Sequence, residues 1–155
     1  MLANPSWYFV IASVIAVVGI IIVYKQMITF ILTEVDRRPD IPLLSLLNKQ
    51  RTAFFIKLPI IELIPILLVA VGFMNVIDIP ASLSFLDIAV PLAIVIGLLA
   101  GGVISIWMTT SVALSHVEVQ GQGMTQSFKA MAILAIALMG AIPMTSLAAF
   151  FVLIA

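Results

Sequence analysis

Residues 88–114 read IAVPLAIVIGLLAGGVISIWMTTSVAL and contain no charged side chain. A transmembrane helix needs about 20 consecutive apolar residues to cross the hydrocarbon core of a bilayer. Polar and apolar residues do not alternate along this run, so a helix fits it better than a strand of a membrane barrel. The stretch predicts a transmembrane helix over about residues 88–115.

Three further apolar stretches predict helices over about residues 7–32, 52–76 and 128–154. The chain has 155 residues, of which 64% are apolar and 9% charged, whereas a soluble domain carries about 25% charged residues. We therefore expect an all-α integral membrane protein with four transmembrane helices. These form two helical hairpins, residues 1–76 and residues 77–155, and leave no room for a separate catalytic domain.

The composition also excludes several classes of function. The chain has no cysteine, which removes disulfides, thiolate metal sites and thiol redox chemistry. Its formal net charge is zero, so nothing suggests a nucleic-acid partner. No phosphate-binding loop, metal-ligand cluster or hydrolytic triad is visible. We expect a protein that needs no metal or cofactor and is not an enzyme by itself.

The basic residues predict the orientation in the membrane. All seven lie in or near the connections 33–51 and 116–126: Lys25, Arg37, Arg38, Lys49, Arg51, Lys57 and Lys129. The connection between the second and third helices carries Asp78 and Asp87 but no basic residue. The positive-inside rule then places loops 33–51 and 116–126 in the cytoplasm and both termini outside. The expected location is the bacterial inner (plasma) membrane.

The two halves share a plan that suggests an internal duplication. Aligning Pro65 in the second helix with Pro143 in the fourth sets IIELIP, residues 60–65, against LMGAIP, residues 138–143. Because each half crosses the membrane twice, the two copies have the same orientation and are tandem parallel repeats.

Stripes of small residues predict where the helices pack. On the third helix the stripe is Gly97, Gly101, Ser105 and Thr109, and on the fourth it is Ala137, Ala141, Thr145 and Ala149. Small residues at every fourth position let helix backbones approach closely within a bilayer. We expect both stripes to be packing faces.

Glu62 is the residue with the clearest functional implication. It follows Arg51 by eleven residues, about 16 Å along a helix, which places it near the middle of the membrane. A charge there costs roughly 2.5–3.5 kcal/mol and marks a functional hypothesis by default. Removal from water favours the neutral form of a carboxyl, so Glu62 could carry a proton and release it on meeting water or a fixed cation. The structural alternative is a hydrogen bond to a neighbouring helix or a pair with a lysine.

Two segments carry a resemblance to a known family. The sequence EVDRRPD, residues 34–40, is similar to the cytoplasmic loop of the c-subunit (proteolipid) of rotary F-type and V-type ATP synthases and ATPases. The sequence PIIELIP, residues 59–65, is similar to the segment around the ion-binding carboxyl of that family. The chain resembles a duplicated-hairpin form of this c-subunit.

The resemblance implies a function in proton transport and ATP synthesis. Several copies would form a c-ring in membrane lipid, with Glu62 carrying protons past a stator a-type subunit. The stalk-contact loop would be Arg37, Arg38, Pro39 and Asp40, which would touch central-stalk subunits. Possible neighbours of the proton site are Gln26, Lys25, Pro59, Pro65 and Thr145. Protons are expected rather than sodium, because Leu63 and Leu67 stand where sodium-binding members of the family have hydroxyls.

Lys25 leaves a second hypothesis open. Counting back from Arg38 places Lys25 near the depth of Glu62, where it could extend to the cytoplasmic surface or pair with Glu62. A permanent pair would make the chain a non-conducting structural or assembly subunit on the same fold. A small secondary transporter is a third candidate, although the chain has one buried carboxyl and no pair of broken, glycine-rich helices.

Overall fold

The chain folds into four long α-helices. The computed structural model describes residues 4–38, 42–77, 85–117 and 122–154. Its helices are α1 (Ser6–Arg37), α2 (Leu43–Ile77), α3 (Phe85–Val117) and α4 (Gln122–Ile154). Each contains a segment long and apolar enough to cross a membrane, and the described residues contain no strand. The predicted all-α membrane fold is confirmed.

The helices extend further than the hydrophobic runs predicted. The expected loop over residues 33–51 is wrong, because α1 continues through Arg37 and α2 begins at Leu43. The expected loop over residues 116–126 is also wrong, since α3 continues to Val117 and α4 begins at Gln122. A helix is held by main-chain hydrogen bonds, which do not require apolar side chains. The helices therefore continue through the polar residues that follow each apolar region. Polarity here does not mark the end of a helix.

The helix α1 is the centre of the bundle. It packs against α2, α3 and α4, whereas the described parts of α2 and α3 do not touch each other. The helix α4 contacts α3 and α1 extensively and α2 only sparsely. The result is a central pair, α1 and α4, with α2 and α3 on its flanks. We call the end of the bundle with the 38–42 and 118–121 connections the basic end.

Two glycines allow close approach between neighbouring helices. A Cβ atom added to Gly19 of α1 would overlap Cγ2 of Ile61 of α2. A Cβ atom on Gly102 of α3 would lie 2.5 Å from Sδ of Met139 of α4. These positions hold each hairpin together in a solvent, lipid, that offers no hydrophobic drive for helix association.

The predicted small-residue stripes are packing faces only in part within one copy, where Ala149 is buried in the core. Gly97 and Gly101 have no atom within 4 Å of an added Cβ, and Ala137 and Ala141 are exposed. The spacing of the small residues identifies one face of a helix, but it does not show whether another helix covers that face. Gly102, one residue from the predicted stripe, is the glycine that α4 covers.

The core has two parts along the bundle axis. The part toward the basic end is formed around Tyr24, Phe54, Phe128 and Met139. At the opposite end Phe9 is the centre, and its ring contacts Phe73 at 5.1 Å and Phe150 at 6.0 Å between centroids, both edge to face. The aromatic cluster fixes the ends of α1, α2 and α4 together.

Candidate functional site

Glu62 lies at the middle of α2. The helix runs from Leu43 to Ile77, so Glu62 is two residues beyond its central residue. The side chain is partly buried, and its Oε1 atom is buried without any hydrogen-bond partner. A buried carboxylate oxygen without a donor is costly, whereas a neutral carboxyl at this depth is much less so.

Lys25 does not neutralise Glu62. Among the described residues the ion pair is Arg38 with Glu34, at 3.4 Å, and Lys25 is an exposed residue of α1. The described residues therefore supply no fixed cation within ion-pair distance of the carboxyl.

The level of Glu62 along the bundle follows from the contacts of α1. The pair Gly19 and Ile61 and the pair Gly72 and Phe9 each bring α1 and α2 together, so residues of the two antiparallel helices match at a constant sum of about 80. Glu62 is therefore level with Val18, the residue before Gly19 on α1. Lys25 and Gln26 lie seven to eight residues nearer the basic end, about 10–12 Å along the axis.

Gln26 belongs to a separate groove between α1 and α2. This groove, of about 170 Å³, is lined by Gln26, Gln50 and Lys57 together with apolar side chains. The predicted site neighbours on α1 are thus gathered toward the basic end and not around the carboxyl. The reason is that α2 begins at Leu43, eight residues before Arg51. Glu62 is therefore farther from the connection than Lys25, which is counted back from Arg38.

The two prolines flank Glu62 within an unbroken helix. Pro59 is exposed and Pro65 is buried, and both lie inside α2. A proline lacks the amide that would bond the carbonyl four residues earlier. The carbonyls of Phe55 and Ile61 consequently lack the amide donor four residues later. Ile61 directly precedes Glu62 in the sequence. The carbonyl of Ile61 is a polar acceptor at the depth of Glu62, whereas that of Phe55 lies about 10 Å nearer the basic end.

Glu62 lies on the side of α2 that faces α4. At 100° per residue it shares a side of α2 with Leu47 and Arg51, and these two residues line a groove against α4. Ile61, the preceding residue, is directed to α1. The carboxyl is thus beside the sparse α2–α4 contact rather than inside the tight α1–α2 one.

Thr145 makes no hydrogen bond to Glu62. Its hydroxyl is exposed and donates to the carbonyl of Ala141 at 2.9 Å. The antiparallel pairing of Ser13 with Ser146 places Ala141 nearest the level of Glu62, and Thr145 about one turn farther from the basic end.

The loop predicted to contact a stalk is described only in part. Arg37 is the last residue of α1 and Arg38 follows it, both exposed, with Arg38 paired to Glu34 one turn earlier. Pro39 and Asp40 lie outside the described residues.

Buried hydroxyl pairs are polar features that the sequence interpretation missed. Tyr24 donates to Oγ1 of Thr110 at 2.7 Å, because the threonine hydroxyl already donates to Ile106. Ser13 donates to Oγ of Ser146 at 3.0 Å. A tyrosine or serine within an apolar run needs a hydrogen-bond partner when it is buried. This requirement could have predicted both hydroxyl pairs from the sequence.

The chemistry open to this site is that of a carboxyl group exchanging a proton. Across the described ranges no group of three or more His, Cys, Asp or Glu side chains could hold a metal ion. The chain matches no protein-family model, no curated protein and no solved structure.

Proposed function

We propose that this chain is a proton-translocating rotor-ring subunit of a rotary ATP synthase or ATPase, with Glu62 as the proton carrier. The observation that carries the proposal is a carboxyl at the middle of α2 with one buried oxygen that has no hydrogen bond and with no ion pair to any described basic residue. A carrier must be neutral in lipid and ionise only at a stator cation, and an unpaired carboxyl meets that need.

A similar contact in each hairpin supports the proposed duplication. In the register that aligns Pro65 with Pro143, Ile61 corresponds to Met139. Each of these residues covers a glycine of the preceding helix, Gly19 in one hairpin and Gly102 in the other. A residue four positions before the proline thus covers a glycine in both hairpins, which a tandem parallel repeat would give. The two glycines stand five positions apart in this register, since Gly19 corresponds to Gly97.

Open surfaces on α3 and α4 support assembly into a ring. Small residues of both predicted stripes are exposed on a single copy, namely Gly97, Gly101, Ala137 and Ala141. A groove of about 290 Å³ beside them includes Ala137, Gly140 and Ala141. Such faces suit close packing against another transmembrane helix. We infer that copies associate through them, in a ring that meets a stator a-type subunit and central-stalk subunits.

The proposed orientation follows the charges. The basic end carries nearly all of the cations, so we place it in the cytoplasm of a bacterial inner membrane, with both termini outside. The stalk then contacts Arg37, Arg38 and the residues that follow them.

Glu62→Gln tests the proposal. The change keeps the shape and hydrogen-bonding capacity of the side chain but cannot release a proton. Complexes purified through a tag on this chain should assemble, and their ATP-driven proton uptake into vesicles, measured with a pH-sensitive dye, should fall to background. Glu34→Gln is the matched control, since it removes an acidic group from an exposed pair worth about 0–1 kcal/mol and should leave transport near the wild-type rate.

A second variant separates the rotor from the structural subunit. If Glu62 formed a buried pair with Lys25, Glu62→Gln would strand the lysine charge, at a typical cost of several kcal/mol. Assembly would then fail, and adding Lys25→Met would restore it. Failure of assembly with rescue by the double variant would contradict the rotor proposal, as would normal transport by Glu62→Gln complexes.

Chemical labelling gives an independent measurement. Dicyclohexylcarbodiimide reacts with neutral carboxyls buried in the membrane, so Glu62 should be labelled at neutral pH in native membranes. Protection of Glu62 by sodium would overturn the choice of protons.

A further inference from the structure

A groove opens between α2 and α4 at the basic end, on the same side of α2 as Glu62 but at a different depth. Its volume is about 330 Å³, and it is lined by Leu47, Asn48, Arg51, Ser127, Ala130, Met131 and Leu134. Arg51 lies eleven residues before Glu62, about 16 Å along the helix. Half of a hydrocarbon core is about 15 Å thick, so the groove opens at the level of lipid headgroups.

Two residues of the groove, Arg51 and Asn48, present donors that make no hydrogen bond within the described residues. Arg51 is exposed, has no acidic partner among the described residues and lies over the ring of Phe55, with 6.0 Å from the guanidinium carbon to the ring centroid. The contact with the ring holds the planar group at the groove. A guanidinium offers a fork of donors that fits a phosphate group. The Asn48 side chain beside it is exposed, and its amide makes no hydrogen bond within the described chain.

The surroundings of the groove are basic. Between Leu43 and Ile61 of α2, and along the whole described length of α4, the charged residues are Lys49, Arg51, Lys57 and Lys129, with no acidic residue. Basic clusters next to the cytoplasmic leaflet attract anionic lipids, by about 1 kcal/mol for each Lys or Arg near the surface. The field at this groove therefore favours an anion over a zwitterion.

The floor of the groove is apolar. Leu47 and Met131 are buried at its base and Leu134 continues the wall toward the membrane interior. A free phosphate ion would use the rim and leave this wall uncovered, whereas a phospholipid would place its phosphate on the rim and its acyl chains along the wall.

We propose that the α2–α4 groove binds an anionic phospholipid, with its phosphate on Arg51 and Asn48 and its acyl chains against Leu47, Met131 and Leu134. The site does not depend on Glu62 or on the proposed function.

The test is native mass spectrometry of the purified protein in detergent, titrated with phosphatidylglycerol or with phosphatidylcholine. We expect phosphatidylglycerol to bind at least about fivefold more tightly, as one favourable basic contact would give. Arg51→Gln should weaken phosphatidylglycerol binding about tenfold, because it removes a charge-assisted hydrogen bond. Lys129→Gln is the matched control, since it removes the same charge at the same end but from the opposite side of α4. It should weaken binding by no more than the roughly fivefold that one nearby charge contributes without a direct contact.

A third variant probes the apolar part of the site. Ala130 is exposed and lines the groove, so Ala130→Leu fills the space without changing any charge and should also weaken binding about tenfold. Circular dichroism will show whether Arg51→Gln folds. If it does not, the Ala130→Leu variant still tests the proposal.

Four outcomes would overturn the proposal. Equal losses in Arg51→Gln and Lys129→Gln would mean diffuse charge attraction rather than a site. Unchanged binding in Ala130→Leu would exclude the groove. Displacement of the lipid by millimolar inorganic phosphate would identify a soluble anion as the ligand. Equal affinities for the two lipids would remove the role of the basic residues.

Discussion

Replacing Gly19 with alanine tests the close packing that holds α2 against α1 at the depth of Glu62. A Cβ atom at this position overlaps Cγ2 of Ile61. That methyl belongs to a β-branched side chain, which has one strongly preferred rotamer in a helix. The methyl cannot rotate away at low cost, so the helices have to separate. Overpacking of this kind costs about 1–3 kcal/mol.

The helix-forming tendency of alanine opposes this cost. Alanine is about 1 kcal/mol more favourable than glycine within a helix, so the net loss for Gly19→Ala is about 0–2 kcal/mol. Gly97→Ala is the matched control, because Gly97 is also inside a helix and has no atom within 4 Å of an added Cβ. The difference between the two variants cancels the helix contribution and leaves the contact with Ile61, about 1–3 kcal/mol.

Reversible unfolding in mixed micelles of mild detergent and dodecyl sulfate, followed by circular dichroism, gives both free energies of unfolding. Gly19→Ala should be the less stable variant by the amount given above. In an Ile61→Ala background the overlapping methyl is absent, so the penalty of Gly19→Ala should disappear. Equal stability of the two single variants would refute the contact, and so would a penalty that persists without Ile61.

Two further changes test other contacts. Tyr24→Phe removes the buried hydrogen bond to Thr110 and should lower the free energy of unfolding by about 0.5–1.5 kcal/mol, measured in the same micelles. Tyr8→Phe, whose hydroxyl makes no hydrogen bond in the described chain, should have no effect, and equal losses in the two variants would contradict this role of the Tyr24 hydroxyl. Gly101→Leu should leave the helix content unchanged but abolish self-association, measured as the particle mass by light scattering, whereas Ile96→Leu on another side of α3 should not. Normal association of Gly101→Leu would exclude that face as the contact between copies.

The number and type of helices could be predicted because they depend on local properties. A run such as residues 88–114 has one stable conformation in a bilayer, since every backbone group must be bonded within its own segment. Counting residues from Arg51 at a fixed rise predicts that Glu62 lies near the middle of the membrane. That depth stays a prediction, and the structure has Glu62 near the middle of α2.

The relations between helices could not be predicted in this way. The depth of Lys25 relative to Glu62 depends on where α1 ends and on how α1 pairs with α2, and the polar residues after position 32 gave no sign that the helix continues. The packing partner of Gly102 was hidden for a similar reason. A stripe at fourfold spacing defines a face, but only the positions of the other helices decide which face is covered.

The difference between the two hairpins bears on the energetics of the proposed rotor. In the register of Pro65 with Pro143, the counterpart of Glu62 is Gly140, which opens onto the groove beside Ala137 and has no atom within 4 Å of an added Cβ. In the proposed rotor, a copy with four helices would then carry one proton where two similar hairpins could carry two. Each proton moved across 100 mV exchanges about 2.3 kcal/mol. For a given ring size, half as many proton carriers exchange half as much electrical energy per turn. ATP hydrolysis can then drive protons against a larger membrane potential. ATP synthesis, in turn, needs a larger membrane potential. The loss of the second carboxyl therefore favours pumping over synthesis in the assembly that we propose.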